Sequence, residues 1–248
     1  MIKLVDVNKE FSGKPALKHI SMEIRRGETL AIIGGSGSGK STLLRLLIGL
    51  ISPTSGEIWI DGQEVSHSTE KAWDNLRLSM GMVFQYSALF DSMTVGDNVA
   101  FGLREHTDYD EKKIGAIVKE KLHLVGLDGV EKMMPNELSG GMKKRVSLAR
   151  AIAIEPKVIF YDEPSSGLDP IMTEKIDELI VNTQRALDVT SVVVTHDMAS
   201  ACRIADRIAM IYEGDLIALE PVERFRQLED PRVQAFFHTL RTSKGEDV

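Results

Sequence analysis

Residues 29–42 read TLAIIGGSGSGKST: an apolar strand runs into a glycine-rich turn, then a lysine and two hydroxyl residues. Within this stretch, residues 34–41 (GGSGSGKS) fit the spacing G-x-x-x-x-G-K-[ST] in full. Glycine tolerates backbone angles that other residues avoid, so the loop can curl until successive N–H groups point at one anion. The helix that follows, expected from about Lys40 to Leu50 and stopped by SPTSGE, aims its positive dipole end at the same place. Gly34, Gly35, Ser36, Gly37, Ser38, Gly39, Lys40, Ser41 and Thr42 therefore read as a phosphate cradle. Lys40 is placed to neutralise β- and γ-phosphates and the Ser41 hydroxyl to ligate Mg²⁺. The bland alternative is a flexible Gly/Ser turn, and the order strand, loop, lysine, helix outweighs it.

Working outward, the residues before the loop alternate as strands do, with Ile20, Met22 and Ile24 between polar neighbours. After the loop, EIWI-DG-QEV predicts a hairpin turning at Asp61-Gly62, and GMVF a short strand ending near Gln85. From Gln85 to about Glu155 helical spacing takes over, with Ile114, Ile117, Val118, Leu122 and Val125 on one face. Beyond Pro156 strands return as KVIFYD, SVVVTHD and RIAMIYEGDLIALE. Between the first two, Met172, Ile176, Leu179, Thr183 and Leu187 mark a helix opened by Asp169-Pro170. Strands alternating with helices predict a mostly parallel sheet, and the all-helical middle an inserted lobe. The tail from Pro221 predicts two short amphipathic helices, the second opened by Asp230-Pro231 and carrying Val233, Phe236, Phe237 and Leu240. Two destinations are open to it, a partner subunit or its own domain, and the final KGEDV is expected to fray.

Composition narrows the class. Of 248 residues, 43% are hydrophobic and 27% charged, the balance of a folded soluble protein. No run approaches the roughly 18 uncharged apolar residues needed to span a bilayer. The N-terminal MIKLVDVNKEF alternates like a strand and lacks signal-peptide organisation. Cys202 is the one cysteine and reads as a buried thiol in a reducing compartment. A formal charge of −7 argues against a general nucleic-acid binder, and Lys143, Lys144 and Arg145 read as a solvated helix face.

Two further motifs complete a chemistry. KVIFYDEP ends an apolar strand in two carboxylates: Asp162 to hold magnesium through its water shell, Glu163 to act as general base or orient the attacking water. Alone, such a pair is equally a helix N-terminus; beside a phosphate loop the catalytic reading prevails. LSGGM at 138–142 begins a second helix, where Ser139, Gly140 and Gly141 offer a hydroxyl and bare N–H groups.

In that order and spacing the chain resembles the ABC (ATP-binding cassette) ATPases over residues 1–220. The resemblance implies an α/β, P-loop NTPase (RecA-like) core with a mostly parallel sheet, a small antiparallel β subdomain and an inserted helical subdomain. The expected division is a core of 1–84 and 156–220, a helical subdomain of 85–155 and a tail of 221–248. It also implies ATP and Mg²⁺ as ligands and a second copy of the chain, whose Ser139-Gly140-Gly141 closes on the first copy's γ-phosphate. Gln85 matches the glutamine that touches Mg²⁺, and His196 the histidine that contacts the γ-phosphate. Asp169 matches the loop joining the two sites, although an Asp before Pro170 is an N-cap in any case. Phe11 matches the aromatic that stacks on adenine, although an aromatic at a strand end is commonly core.

Several stretches look like the Mla-type, MCE-associated phospholipid transport ATPases: SALF at 87–90, DNVAFGLREHT at 97–107, MPNELSGGM at 134–142, DEPSSGLDPI at 162–171 and DPRVQAFF at 230–237. Met142 departs from the glutamine of the general signature, and a thioether donates no hydrogen bond. That likeness implies an integral membrane permease as partner, with an MCE lipid-binding protein and a small STAS-domain protein beside it. It places the chain peripherally on the cytoplasmic side of the inner (plasma) membrane. A transporter ATPase for another cargo, or a soluble ATPase of the iron–sulfur assembly type, remains open, since such motors share their catalytic residues.

Overall fold

In chain order the elements are β1 (Ile2–Phe11), β2 (Lys14–Ile24), β3 (Thr29–Ile33), α1 (Lys40–Leu47), β4 (Ser55–Ile60), β5 (Gln63–Glu64), α2 (Glu70–Arg77), β6 (Met80–Val83), α3 (Val95–His106) and α4 (Glu111–Leu124). A 3₁₀ turn at Pro135–Glu137 precedes α5 (Gly140–Ile152), β7 (Val158–Asp162), α6 (Pro170–Leu187), β8 (Thr190–Thr195), α7 (Met198–Ile204), β9 (Arg207–Tyr212), β10 (Asp215–Pro221), α8 (Val222–Phe225) and α9 (Pro231–Ser243). This computed structural model describes residues 1–243, with side chains as far as residue 237. The run KGEDV and the side chain of Leu240 lie outside the described residues.

The chain forms two compact units, residues 1–73 with 192–248, and residues 74–191. In the first, the strands lie in the order β5-β4-β1-β2-β10-β9-β3-β8. Pairs β1/β2, β1/β4, β4/β5 and β9/β10 are antiparallel, whereas β3/β9 and the single β2/β10 pairing are parallel. The sheet is therefore mixed. The expected hairpin is present: Ile60 faces Gln63, and Asp61 and Gly62 both take positive φ, as a tight two-residue turn requires. Glu213 and Gly214 do the same between β9 and β10, splitting the last apolar run into a second hairpin.

Every residue of β3 is buried, which explains its apolar run: a strand covered on both faces has no polar side to alternate with. α1 ends at Leu47, three residues earlier than its spacing predicts, because Gly49 turns to a φ of 69° with Trp73 packed where a Cβ would stand.

The second unit pairs β6 with β7 in parallel and adds the helices α3 to α6. Ile114, Val118 and Leu122 are buried along one face of α4, as their spacing predicts. Thr94, Asp110, Ser139 and Asp169 cap α3 to α6, each side chain accepting from a backbone N–H of the first turn. Arg104 staples α3 to the start of α4, donating to Asp97 at 2.8 Å and to both oxygens of Glu111 at 2.9 Å.

The tail folds back on the first unit. Val233 and Phe225 are fully buried in a cluster with Ile33, Met198 and Met210, and Phe236 and Phe237 pack half-buried against it. Cys202 is half-buried at the same cluster, where burial pushes its thiol pKa up. We predict that Phe225→Ala costs about 3–5 kcal/mol of stability in urea unfolding. A loss below about 1 kcal/mol would mean the tail is not docked in solution.

Candidate functional site

The phosphate loop is fixed backbone to backbone. At Gly34, with φ 157°, a Cβ would stand 2.2 Å from the carbonyl oxygen of Ile211. At Gly39, with φ 115°, it would meet the carbonyl oxygen of Ala16 and Leu17 Cδ2, both at 2.7 Å. The Gly214 N–H donates to the Ser38 carbonyl at 2.9 Å, and the Lys18 N–H to the Gly214 carbonyl at 2.8 Å. β2 and the β9–β10 turn thus clamp the loop between them. Lys40, buried at the start of α1, donates its ammonium to the carbonyls of Gly34 (2.8 Å) and Gly35 (3.0 Å).

Gly39 is the N-cap of α1 and supplies no side-chain cap, so the helix start keeps its anion-seeking N–H groups. The Ser38 hydroxyl is buried with no hydrogen-bond partner. An orphaned hydroxyl, an uncapped helix start and a lysine coiled inside the loop fit a polyphosphate ligand. In the same unit His196 is exposed directly after β8. Asp197 next to it anchors the turn, accepting from the Ala199 N–H at 2.8 Å and the Ser200 N–H at 3.2 Å. Phe11, at the end of β1, is 46% exposed with the Lys9 ammonium 5.1 Å from its ring centre.

The second unit holds the other predicted residues. Asp162 closes β7, and Glu163 follows in a left-handed conformation with φ 47°. A non-glycine residue held there marks a constrained turn, commonly at a functional site. The Gln85 amide donates to the Ser166 hydroxyl at 3.1 Å, tying the glutamine to the DEPSS segment. Ser139 caps α5 through the Met142 N–H, and Asp169 caps α6 through the Met172 N–H. These two helix starts adjoin: a Cβ on Gly141 would lie 2.3 Å from Met172 Cε, and one on Gly140 3.9 Å from Leu168 Cδ2. The second unit therefore assembles Gln85, the carboxylate turn, the signature and the Asp169 loop.

Lys144 overturns its sequence reading. It is buried, not solvated, and its ammonium donates to the Gln85 carbonyl. Burial pushes its pKa below the ordinary lysine value, opposed by the carboxylates of Glu163 and Asp162. A signal was available: Gly141, Lys144, Leu148 and Ala151 are all buried and recur at helical spacing, which puts Lys144 on the inward stripe of α5. Asn98 carries no local sequence signal that marks its role. It is fully buried, accepts from the Phe90 N–H at 2.8 Å and donates to the carbonyls of Phe90, Met93 and Thr94. The loop it pins borders an open apolar groove of about 420 Å³ lined by Met80, Met82, Phe84, Phe90 and Phe101.

The donors expected to hold Mg²⁺, namely the Ser41 hydroxyl, the Gln85 amide oxygen and the Asp162 carboxylate, are all hard oxygen ligands of the kind that ion takes. Among the described residues no group of three or more His, Cys, Asp or Glu side chains forms a metal-binding cluster. No described helix is long and apolar enough to cross a membrane.

A loop of this geometry after β3, a carboxylate pair after β7 and a capped signature helix define a nucleotide-hydrolysing cassette. The chain belongs to the ABC transporter family, which residues 17–166 match, and it is an ATPase.

Among its relatives, the intermembrane phospholipid transport system ATP-binding protein MlaF of Escherichia coli (strain K12) is 42% identical over 236 residues, covering 95% of this chain and 88% of that protein. The probable ribonucleotide transport ATP-binding protein mkl of Mycobacterium leprae (strain TN) is 40% identical over 240 residues, covering 97% of this chain and 69% of that protein. Among solved structures, the dimeric ATP-binding cassette MJ0796 in a post-hydrolysis state, bound to ADP and Pi, is similar with a TM-score of 0.81 and 33% identity, covering 90% of this chain and 99% of that one.

The loop geometry separates neighbouring glycines. Gly34→Ala is expected to lower the melting temperature by at least about 4 °C and abolish ATP binding, since a backbone oxygen blocks its Cβ. Gly35→Ala, with nothing within 4 Å, is expected to melt within about 2 °C of wild type. Equal melting temperatures for the two variants in a thermal scan would refute the clamped-loop account.

Proposed function

We propose that the chain is the ATP-hydrolysing subunit of a phospholipid transporter of the Mla/MCE type, working as a head-to-tail dimer beneath a permease dimer. The observation that carries this reading is the near end-to-end match to MlaF, a protein named for intermembrane phospholipid transport. The apolar groove beside the loop after Gln85 supports it, because an open patch carrying the exposed Phe84, Phe90 and Phe101 side chains marks a docking surface for a partner. The partner of that groove is the integral permease. An MCE lipid-binding protein and a STAS-domain protein complete the assembly, with the chain lying peripherally on the cytoplasmic side of the inner membrane. In this reading residues 1–84 and 156–220 bind nucleotide, 85–155 couple it to the permease, and 221–248 form a tail.

The roles follow from the chemistry of each group. Lys40 neutralises the β/γ-phosphates, the N–H groups of the loop from Gly34 to Thr42 hold them, and Phe11 stacks on the adenine. Glu163 accepts the proton of the attacking water or orients it, and the side chain of His196 steadies the γ-phosphate. Ser41, Gln85 and Asp162 would hold Mg²⁺, which when bound neutralises phosphate charge. Ser139, Gly140 and Gly141 of one copy complete the site of the other, and Asp169 links the two. Dimerisation of the similar cassette bound to ADP and Pi supports that last step.

A second reading keeps the motor and changes the cargo, and the match to mkl, a protein named for probable ribonucleotide transport, favours it. Copurification from gently extracted membranes separates the two. Recovery of an MCE protein, a permease and bound phospholipid is the expected result; a different permease would retire the lipid reading. Within the motor, Glu163→Gln should bind ATP but turn over at least ~100-fold more slowly. Near-wild-type turnover would remove Glu163 from its role. Lys40→Ala should weaken ATP binding itself, measured by titration with a fluorescent ATP analogue, and unchanged affinity would contradict the phosphate assignment.

A further inference from the structure

Helix α5 begins at the signature residues and carries two cationic side chains that reach the same loop, the one that follows Gln85. Lys144 donates to the Gln85 carbonyl. Two turns further along, Arg150 donates to the carbonyls of Ala88 at 2.7 Å and Ser87 at 3.0 Å. The carbonyls they hold belong to a strained turn, since Ser87 and Ala88 both sit at positive φ, 62° and 46°. Two consecutive non-glycine residues in that region persist only where the surroundings over-determine them. Here the surroundings are those two cations on one side and Asn98 on the other. Lys144 is buried and Arg150 half-buried, both with carbonyl oxygens as partners, and burial lowers the pKa of each.

We propose that Lys144 and Arg150 form a strut that makes the signature helix and the Gln85–Phe90 loop a single mechanical body, with Lys144 the positioning residue for Gln85. The proposal rests on the reading of Gln85 as a participant in hydrolysis. Lys144 is suited to the task because its ammonium grips the Gln85 main chain, leaving the side-chain amide to reach Ser166. It also lies in the field of the Glu163 and Asp162 carboxylates, while its hydrogen bond joins the signature helix to the glutamine. Arg150 in turn stands over the Phe90 ring, 5.8 Å from its centre, at the edge of the apolar groove. Any tilt of α5 that the signature imposes is thereby delivered to the groove without slack.

The test uses the full chain with Mg²⁺-ATP. Lys144→Met keeps the length of the side chain and removes the donor. Hydrogen exchange across residues 85–90 is expected to quicken at least about tenfold while α1 keeps its protection. ATP affinity is expected to stay within about twofold, because the phosphate loop is untouched, whereas kcat falls at least about tenfold. Lys144→Arg, which retains the cation, is expected to recover both to within about threefold of wild type. Unchanged exchange in Lys144→Met would overturn the strut. Faster exchange with unchanged kcat would instead remove Gln85 from the reaction. Should Lys144→Met fail to fold, Arg150→Lys reads the other end: exchange at Ser87 and Ala88 quickens, and wild-type protection there sinks the proposal.

Discussion

The structure depends first on backbone packed directly against backbone. Gly34 leaves no space for a Cβ beneath the Ile211 carbonyl, and Gly39 leaves none beside Ala16. These contacts let β2, β9 and the turn at Gly214 grip the loop after β3 closely enough to hold its N–H groups in one concave surface. With the loop so held, α1 starts at Lys40, and its lysine lies inside the loop it closes, donating to the Gly34 and Gly35 carbonyls. The fully buried β3 leads into this loop from the middle of the sheet, where a strand has no solvent face.

What the loop demanded of the first unit, α5 demands of the second. Its first turn presents Ser139 and two glycines with no bulky side chain, and Gly141 leaves the space that the end of the Met172 side chain of α6 occupies. One helix thus begins at the Ser139 cap and along its length anchors the Gln85 loop. Buried cations make costly anchors unless every partner is in place. Here the partners are carbonyls of a turn that could not hold its positive φ values unaided, so cation and strained turn stabilise one another.

Legibility in the sequence followed the range of the interactions. The phosphate loop, the Asp61-Gly62 hairpin and the caps at Ser139 and Asp169 are set by residues within a few positions of each other, and their patterns suffice. The role of Lys144 is not legible locally because its acceptor lies 59 residues away, and a lysine between a lysine and an arginine looks solvated until the helix is given a partner. α2 and α7 left little trace: α2 buries a single residue, Trp73, and α7 is a seven-residue helix built largely of small side chains. The destination of the tail was undecidable for a related reason. An amphipathic helix shows that it has a face to bury but not against what, and Phe225 and Val233 find their cluster among strands far away in the chain.

Motor and cargo are separated by the same physics. Groups that touch a phosphate or a water are constrained by a ligand common to every such ATPase, so they define the reaction and say nothing of what is moved. The apolar groove, with Met and Phe side chains in its lining, Arg150 at its edge and Asn98 pinning the loop beside it, is the kind of surface whose composition is set by what docks on it instead. Identity to the phospholipid-transport relative therefore bears on cargo most where it falls in and around residues 85–107, and least where it falls in the nucleotide motifs.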